Sequence, residues 1–527
     1  MSYFIISVLV FLAVVFIHDR FIQKKHTILK HYPIIGHFRY LLEAIGPEMR
    51  QYLVANNREE FPFNRIQRSY IYASAKKQNP MQGFGSDADF SKIGHFFVRH
   101  SAFPFRVEEN HINHDKKDFV PCAKIIGEYN KRKNPFHPKS IVNISAMSYG
   151  SLGSGATTAN NMGAAIAGAY HNTGEGGFSP YHNTGADVVF QIGTAYYGCR
   201  DDKGKFSMDE LVKLTDSNPN IKMIEIKLSQ GAKPGKGGIL PAEKVTKEIA
   251  LIRKIKVGEA SISPAYHTMF SNAKELVQFI ELVAERTGLP VGIKSAVGQV
   301  EFWYELAFYM EELKGGPDFI SIDGGEGGTG AAPAAFADNV SLPFDSAFTT
   351  VYKIMQTYGI EKRVTFAASA KLGLPSEAIK AFAMGADMIS MAREILIAGG
   401  CIQAQKCHTG GCPTMIARAD KQHLYNIEDK KIRVANFISA LRKDILEITH
   451  ACGYEHPCQI EMKDISINTR DSNTPKSLSL IYEYDKTRIG FAGMDYLTEK
   501  SLKEEVFKIK TDALEKEAIK KDKFKNN

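Results

Sequence analysis

The chain has 527 residues, 44% hydrophobic and 24% charged, a globular composition that excludes disordered, collagen-like and coiled-coil rod proteins. Seven cysteines are too few for a disulfide scaffold and suit a reducing compartment. The net charge of +8 lies almost entirely in residues 1–39 (+4) and 500–527 (+3), and because a nucleic-acid-binding protein needs a basic face on its folded body, we expect no nucleic-acid partner.

The first element is an apolar segment. Residues 1–17 carry no charged side chain, and most of them are Ile, Val, Leu and Phe. A 17-residue helix spans about 25 Å, slightly less than a bilayer core, and Phe21 and Ile22 extend it. A signal peptide and a buried core helix are the alternatives, but the segment has no basic start and no small-residue cleavage site. We therefore predict a transmembrane anchor over residues 1–22.

Basic residues follow the apolar segment directly. Arg20, Lys24 and Lys25 place positive charge at its carboxyl end, and positive charge favours the cytoplasmic side of a membrane. We expect a single-pass protein of the cell membrane with a cytoplasmic catalytic body. The basic ends of the chain suit a surface of anionic lipid.

The next region, residues 23–135, shows little regular pattern. From residue 40 onward it is rich in Asn, Arg, His, Pro and Phe, with weak periodicity. We predict that it forms a cap region packed on the domain that follows, which we place at residues 136–455.

From about Ser140 the chain alternates short β-branched runs with amphipathic segments, a pattern typical of βαβ units. Seven or eight units over about 270 residues predict a (β/α)8 TIM barrel, with a doubly wound open sheet as the alternative. The predicted strands are Ile141–Ala146, Val188–Ile192, Met223–Lys227, Val291–Lys294, Phe319–Asp323, Val364–Ala368 and Met388–Met391. The predicted helices include Ala242–Lys254, Ala273–Arg286, Glu301–Leu313 and Ser376–Met384.

Glycine clusters follow several of these strands. They lie at residues 172–177, 230–238 and 323–330, and each has a lysine or glutamate within it or nearby. Glycine lets backbone N–H groups approach an anion closely, although turns explain most single clusters. Three clusters at strand ends, where barrel enzymes carry their chemistry, predict a phosphate-bearing cofactor across the barrel mouth.

Lys294 ends a predicted strand. A lysine there can lie beside a flavin ring and stabilise the negative charge of the reduced form. A salt-bridged lysine at a strand end is the alternative.

Three cysteines fall within twelve residues: Cys401, Cys407 and Cys412, the last followed by Pro413. Thiolates at such spacing bind iron–sulfur clusters or zinc. Three ligands suit a three-iron cluster, whereas zinc needs a fourth ligand, which His408 can supply. We interpret the remaining cysteines as buried thiols; they are Cys122, Cys199, Cys452 and Cys458.

After the cysteines, Lys431–His450 has the pattern of a strong helix. Residues 456–527 are an irregular extension that ends in a tail rich in lysine and glutamate. We therefore predict a C-terminal helical tail.

Together these segments resemble the FMN-binding domain of glutamate synthase, and in particular its membrane-anchored, single-domain bacterial forms. The resemblance runs from about Pro121 to Tyr454. It rests on segments that occur in the family's order: Met147-Ser-Tyr-Gly150, Asn172-Thr-Gly-Glu-Gly-Gly177, Gln230-Gly-Ala-Lys-Pro-Gly235, Gly324–Ala332 and the loop Cys407-His-Thr-Gly-Gly-Cys-Pro413.

The resemblance implies a barrel that holds FMN beside a [3Fe–4S] cluster. In that family the cluster passes electrons to FMN, and reduced FMN delivers hydride to 2-iminoglutarate, formed from 2-oxoglutarate and ammonia. The expected activity is that of an oxidoreductase acting on CH–NH2 groups. The expected partners are a 2-oxo acid or amino acid, ammonia, and an external electron donor such as ferredoxin, a reductase subunit or a membrane donor.

The resemblance also implies roles for individual residues. Glu175, Gln230, Lys233 and Arg253 match catalytic and substrate-side groups, with Arg253 as a bidentate carboxylate clamp. The cofactor-binding matches are Met147, Ser148, Tyr149 and Gly150 along the flavin, Lys294 at its ring, and Gly324, Gly325, Gly327, Gly328, Thr329, Gly330, Ser369 and Gly373 at its phosphate. Cys401, Cys407 and Cys412 match the cluster ligands.

The sequence departs from the family pattern in three places. Residue 2 is Ser and an apolar segment follows, where full glutamate synthases begin with a catalytic cysteine and a glutaminase domain, so we expect no glutamine hydrolysis. Lys236 and Ile239 replace an acidic residue and a glutamine, and residues 368–370 read Ala-Ser-Ala in place of Asp-Gly-Gly. These departures bear on the identity of the substrate more than on flavin binding.

Two other functions remain open from the sequence. One is an FMN-dependent barrel oxidase or dehydrogenase for another amine or an N-alkylated amino acid. The other is an electron-relay subunit without a substrate of its own, although the presence of Glu175, Lys233 and Arg253 argues against it.

Overall fold

The computed structural model describes residues 2–106, 120–418, 420 and 422–487. Internal contacts divide the chain into two units, residues 1–70 and 71–527. The predicted charged tail, including the basic surplus of residues 500–527, lies outside the described residues from position 488 onward.

The first unit is helical. Its elements are Ser2–Ile17, continued by a π-helical turn at His18–Ile22, then Thr27–His31, Gly36–Met49 and a second π-helical turn at Arg50–Val54. The helix Arg65–Ala75 crosses the boundary between the units. By length and composition alone, Tyr3–Ile22 is a candidate membrane span, and almost none of it is buried. A signal sequence passes the same criteria, so the anchor remains a prediction.

The second unit contains a closed barrel of eight parallel strands. Its strands in chain order are β1 Val142–Ile144, β2 His171–Asn172, β3 Val188–Ile192, β4 Ile221–Lys227, β5 Val291–Ser295, β6 Phe319–Asp323, β7 Thr365–Ser369 and β8 Met388–Met391. Each strand pairs with the next, and β8 closes on β1 with Ile389 opposite Val142. The predicted (β/α)8 barrel is confirmed, and the open-sheet alternative is wrong.

Helices surround the barrel, and Ala273–Thr287 shows why they form. The Asn272 side chain caps its amino end by accepting the Glu275 N–H, and Gly288 ends it in the left-handed conformation. Its apolar positions are buried, as their spacing predicts. The other helices are Ser154–Ala167, Met208–Ser217, Lys247–Arg253, Glu301–Leu313, Ala334–Asn339, Phe344–Thr357, Pro375–Met384, Arg393–Ala398 and Ile427–Ala451.

The structure contains one strand that was not predicted and one helix with a different start. Strand β2 was not predicted, because it is only two residues long and both are polar. The helix predicted at Ala242–Lys254 begins at Lys247 instead, after a 3-10 turn at Ala242–Lys244. The Thr246 side chain accepts the Ile249 N–H and so sets the start of the helix.

The amino-terminal end of the barrel is filled by side chains. Ile126 and Phe136 form an antiparallel bridge, and both pack against apolar residues near the starts of the strands, including Tyr170 and Phe319. Because this end is closed by packing, the open end of the barrel lies at the carboxyl ends of the strands.

Segments from before and after the barrel form a small antiparallel sheet. Phe96–Val98 pairs with Ile465–Ile467, which pairs with Lys476–Ser477, and the helix Leu478–Tyr482 follows. The predicted helix Lys431–His450 is confirmed within Ile427–Ala451. The prediction of buried thiols outside the cysteine loop is also confirmed for all four cysteines.

An ion-pair network links the loop at the closed end to the barrel. Arg132 Nε lies 2.9 Å from Asp318 Oδ2, and its two terminal nitrogens lie 2.6 and 2.7 Å from the Glu281 carboxylate. Asp318 also accepts the Val291 N–H of strand β5. Burial raises the pKa of Asp318 above its ordinary value even beside Arg132. The arginine is therefore the main charge that compensates a buried carboxylate.

Replacing Arg132 should destabilise the protein strongly. In Arg132→Leu the Asp318 carboxyl stays buried without its cation, which should lower the free energy of unfolding by about 3–5 kcal/mol. Urea unfolding of the detergent-solubilised full chain, followed by the fluorescence of the buried Trp303, measures this loss. Lys443→Ala, which removes an exposed pair with Glu447, is the control and should cost less than about 1 kcal/mol. An equal effect of both changes would contradict the prediction.

Candidate functional site

The loops that carry the predicted site residues meet at the carboxyl ends of the strands. A Cβ added at Gly174, where φ is +65°, would lie 2.6 Å from Ser148 N, so the loops after β1 and β2 touch through their backbones. A Cβ at Gly231 would lie 1.8 Å from Gly324 O, which shows the same for the loops after β4 and β6. The predicted convergence of the glycine clusters at the barrel mouth is therefore present.

An ammonium group lies at the centre of this mouth. Lys227, the last residue of β4, places its Nζ 2.6 Å from Glu175 Oε1 and 2.6 Å from Gln230 Oε1. The carbonyl oxygen of Lys227 lies 2.9 Å from Nε2 of His267. The structure thus joins two predicted catalytic residues through a lysine that the sequence did not single out.

The charges around Glu175 keep it ionised. Burial acts to raise the pKa of Glu175, but Lys227, Lys233 and Arg253 together outweigh burial, and the pKa lies below its ordinary value. Burial, helped by the charge of Lys227, lowers the pKa of Lys233. Among the described residues the Lys233 ammonium has no hydrogen-bond partner, so it is available to a ligand.

Arg253 is buried at the end of its helix and is largely engaged by the protein. Its Nη1 donates to Ser261 Oγ at 3.2 Å, its Nη2 donates to Tyr149 O at 3.1 Å, and its guanidinium lies over the Tyr197 ring. The Nε is buried without a hydrogen-bond partner in the described part of the chain. Each terminal nitrogen thus donates once to the protein and keeps a second N–H, so the bidentate carboxylate clamp that the resemblance implies stays a prediction.

The segment after β1 is fixed by a carboxylate. Met147 and Tyr149 are buried, and the Tyr149 hydroxyl donates to Glu248 Oε2 at 2.5 Å. Tyr181 donates to the same oxygen at 3.1 Å. These contacts hold the backbone of Met147 to Gly150 against the helix that carries Arg253.

Lys294 lies at the end of β5 with its Nζ 3.7 Å from Asp323 Oδ2 at the end of β6. The same carboxylate oxygen accepts the Gly231 N–H at 2.9 Å. The alternative interpretation of Lys294, a salt-bridged lysine at a strand end, thus describes its contact, and the flavin role is compatible with its position at the mouth.

The loop after β6 crosses the mouth from β7 toward β1. Gly324 N–H donates to Ser369 O at 2.9 Å, at the end of β7. A Cβ at Gly330 would lie 2.9 Å from Ser151 Oγ, in the loop after β1. Thr329 donates through its hydroxyl to Ala331 O within the loop. The backbone of residues 324–330 is therefore well placed to surround a ligand.

The N–H of Gly373, which was predicted to bind the cofactor phosphate, is bonded to a carboxylate of the protein. This N–H donates to Glu394 Oε1 at 3.0 Å, while Glu394 Oε2 is buried and without a partner among the described residues. Burial raises the pKa of this carboxyl above its ordinary value. Lys371 and Arg393 lie nearby and bring positive charge to the same end of the barrel. A phosphate would have to compete with Glu394 for the Gly373 N–H.

The three predicted cluster cysteines lie in one loop, and each influences the charge of another. Burial raises the pKa of the Cys401 thiol to about 11, with the Cys407 and Cys412 thiols acting in the same direction. Burial also raises the pKa of Cys407. In the described part of the chain, no three side chains of His, Cys, Asp or Glu gather around a single metal position. Neither the predicted three-thiolate site nor the zinc alternative with His408 is therefore assembled among the described residues.

Cys412 has an environment that favours a thiolate. Burial acts to raise its pKa, but the Thr414 hydroxyl, 3.5 Å from the sulfur, and backbone N–H groups of residues 414, 416 and 417 lower it below its ordinary value. The loop as a whole is tied to the barrel mouth. Gly153 N–H donates to Ile416 O at 2.9 Å, directly after the segment at Met147 to Gly150.

Lys244 fastens the cysteine loop from the other side. It is buried, and its Nζ donates to Cys407 O at 2.9 Å and to Ala417 O at 3.0 Å. It lies two residues before the cap of the helix that ends at Arg253. Lys244 was predicted to lie inside a helix, and no role was predicted for it. In the sequence it ends the segment Leu240-Pro-Ala-Glu-Lys244, which follows the glycine loop.

Residues 99–455 match a family model described as the conserved region in glutamate synthase. The chain is 38% identical over 495 residues to the glutamate synthase large subunit-like protein YerD of Bacillus subtilis, which covers 88% of this chain and 94% of that protein. It is 35% identical over 317 residues to the archaeal-type glutamate synthase (NADPH) of Thermotoga neapolitana, covering 59% of each. It is 31% identical over 239 residues to the ferredoxin-dependent glutamate synthase of Pyropia yezoensis, covering 45% of this chain and 15% of that protein.

Removing the Lys244 ammonium should loosen the cysteine loop. In Lys244→Met two carbonyl groups lose their buried donor, which costs about 1–3 kcal/mol locally. Hydrogen–deuterium exchange of peptides from residues 401–418, read by mass spectrometry, should therefore speed up by about 5- to 100-fold. Lys247→Met, an exposed neighbour, is the matched control and should leave the exchange unchanged. Unchanged exchange in Lys244→Met would show that the loop is held by other contacts.

Proposed function

The chain belongs to the glutamate synthase family, and we propose that it is an FMN- and iron–sulfur-dependent oxidoreductase acting on CH–NH2 groups. The proposed reaction reduces an imine, formed from 2-oxoglutarate or a related 2-oxo acid with ammonia, to an amino acid. The observation that carries the proposal is the group Glu175, Lys227 and Gln230 at the barrel mouth. The Lys233 ammonium, in the loop of Gln230, has no hydrogen-bond partner among the described residues.

The donors at the mouth fit FMN. Backbone N–H groups of the glycine loop at 324–330 and the Ser369 end of β7 suit a phosphate, since glycine leaves them open to close approach. Lys294 can give up its long contact with Asp323 and hold a ring that becomes negative on reduction. Gly373 fits less well because Glu394 occupies its N–H. When bound, FMN supplies hydride transfer and an iron–sulfur cluster supplies single electrons.

We propose that Cys401, Cys407 and Cys412 hold a [3Fe–4S] cluster, as the resemblance to glutamate synthase implies. All three thiols lie in one loop beside the barrel mouth. Cys412 already lies among N–H donors that stabilise its thiolate, as hydrogen bonds to cluster sulfurs do.

The chain's own side chains suit an anionic 2-oxo acid whose imine, formed with ammonia, becomes protonated on nitrogen. Lys233, which has no hydrogen-bond partner among the described residues, can bind the substrate carboxylate. The ionised Glu175 attracts a protonated imine nitrogen, and Lys227 holds that carboxylate in one orientation. Arg253 would act on the substrate through its unpaired Nε or through its charge.

We further propose that the protein is attached to the cell membrane by Tyr3–Ile22, with the barrel on the cytoplasmic side. The apolar helix is exposed along nearly its whole length, and Arg20, Lys24 and Lys25 follow it. The electron donor would be external, and a ferredoxin, a reductase subunit or a membrane donor each fits this location. One relative is named as ferredoxin-dependent and another as NADPH-dependent.

The function can be tested by single-turnover chemistry. The purified full chain, reduced anaerobically, should be reoxidised by 2-oxoglutarate only when ammonium is present, with glutamate formed in step. Lys233→Met should lower kcat/KM for the 2-oxo acid by about 30- to 1000-fold, because losing a buried charge contact with a carboxylate costs about 2–4 kcal/mol.

Lys256→Met is the control for that variant. Lys256 is exposed, pairs with Glu259 at the surface and should be replaceable with little loss. Failure of every 2-oxo acid to reoxidise the reduced protein would contradict the proposed reaction. Equal losses in both variants would instead contradict the role of Lys233.

The pH dependence of kcat/KM should change when Lys227 is replaced. Burial raises the pKa of Glu175 and Lys227 is the largest opposing influence, so Lys227→Met should raise this pKa. Since the carboxylate must be ionised to attract the imine, the acidic limb of the kcat/KM profile should move to higher pH. Lys227→Arg keeps the cation and should restore the limb toward its original position. An acidic limb that does not move would show that ionised Glu175 is not required.

A further inference from the structure

The first unit carries an exposed apolar stripe. The helix Gly36–Met49 presents one apolar face, and at 3.6 residues per turn its members up to Met49 fall within a sector of about 120°. The π-helical turn that continues the helix to Val54 adds Tyr52 and Leu53. Their side chains are between 41% and 78% exposed. The members of this apolar stripe are Ile35, Phe38, Leu41, Leu42, Ile45, Met49, Tyr52 and Leu53.

Such exposure is costly for a helix in water. Burying a Leu, Ile, Phe or Met side chain contributes about 1.5–3 kcal/mol, and the described chain buries none of these eight fully. An apolar cleft of about 570 Å³ adjoins the start of the stripe, lined by Ile28, Tyr32 and Phe38 among others. An exposed apolar surface such as this stripe is typical of a site that a membrane or another protein surface covers.

The stripe helix is fastened to the end of the apolar helix Tyr3–Ile22. The Asp19 side chain is fully buried, and its Oδ2 accepts the Ile34 N–H at 3.2 Å and lies 2.8 Å from His37 Nε2. Arg20 Nη1 donates to Lys30 O at 2.8 Å. These bonds join residues that are 10 to 18 positions apart in the chain. If the apolar helix crosses a bilayer, the first turn of the stripe helix is thereby held at the level where the lipid headgroups begin.

The charge of the first unit complements anionic lipid. Residues 1–70 contain nine lysines and arginines against five aspartates and glutamates. Arg39 and Arg50 lie beside the stripe on the helix, and Lys24 and Lys25 lie in the connection. Basic residues that flank an apolar face are typical of helices lying in a membrane interface.

We propose that residues 35–53 form an interfacial helix, which lies in the headgroup region of a bilayer with the apolar stripe in the acyl boundary and binds anionic phospholipid. The inference rests on the membrane attachment proposed above and adds a second contact to it. A spanning helix alone leaves the rest of the chain free to rotate about one point, whereas a second contact restricts this rotation.

The test uses tryptophan reporters in the full chain, whose single natural tryptophan, Trp303, is buried. Ile45→Trp places a reporter on the stripe, and Ala44→Trp places one on the adjacent polar side of the same turn. Each protein is reconstituted in vesicles of phosphatidylcholine and phosphatidylglycerol with brominated acyl chains, which quench tryptophan on contact. We expect several-fold stronger quenching of Trp at position 45 than at position 44, with wild type giving the Trp303 background.

Phe11→Trp reports separately on the anchor. Quenching at positions 11 and 45 supports the interfacial helix, whereas quenching at position 11 without position 45 overturns it and leaves the anchor standing. No quenching at position 11 overturns the anchor. A blue-shifted but unquenched reporter at position 45, together with cross-linking of two chains through the stripe, identifies a second copy as its cover and overturns the lipid assignment. The urea midpoint of each variant checks that the fold is retained.

Discussion

The open end of the barrel is organised by one partly buried ammonium group. Lys227 ends strand β4 and contacts Glu175 from the loop after β2 and Gln230 at the start of its own loop. A buried carboxylate without a cation would take up a proton, because burial acts to raise its pKa. With Lys227 in place the carboxylate remains charged, and two loops are fixed by the same nitrogen. Lys227 thus fixes the position of the predicted catalytic glutamate and makes the largest contribution to keeping it ionised, to which Lys233 and Arg253 add.

Close backbone approach is the second condition for this arrangement. At Gly174 and at Gly231 the backbone lies so close to a neighbouring loop that no side chain fits between them. A Cβ at Gly231 would collide with the carbonyl of Gly324. The Asp323 carboxylate accepts the Gly231 N–H and also lies close to the Lys294 ammonium, so it connects the two. Contact between the loops requires glycine at these positions. The predicted anion-binding role of the glycines is separate from this requirement.

The sequence predicted what depends on local pattern. Seven of the eight strands follow from β-branched runs, and the glycine loops were placed at the mouth because they follow those strands. The two polar residues of β2 carry no such pattern, since pairing with β1 and β3 alone makes them a strand. Partners across the chain were not predictable either: Lys244 bonds to carbonyls 163 and 173 residues away, and Glu394 takes the Gly373 N–H. The side chains that orient the site therefore become visible only in three dimensions.

The cysteine loop and the substrate side of the mouth share their supports. Gly153 N–H holds the loop at Ile416, just after the segment that lies against Arg253 and Glu248. Lys244 holds the same loop at Cys407 and precedes the helix that carries both of those residues. A displacement of the cysteine loop would therefore move the backbone at Met147 to Gly150 and the start of that helix together. Two bonded segments therefore fix the spacing between the cysteine loop and the open end of the barrel.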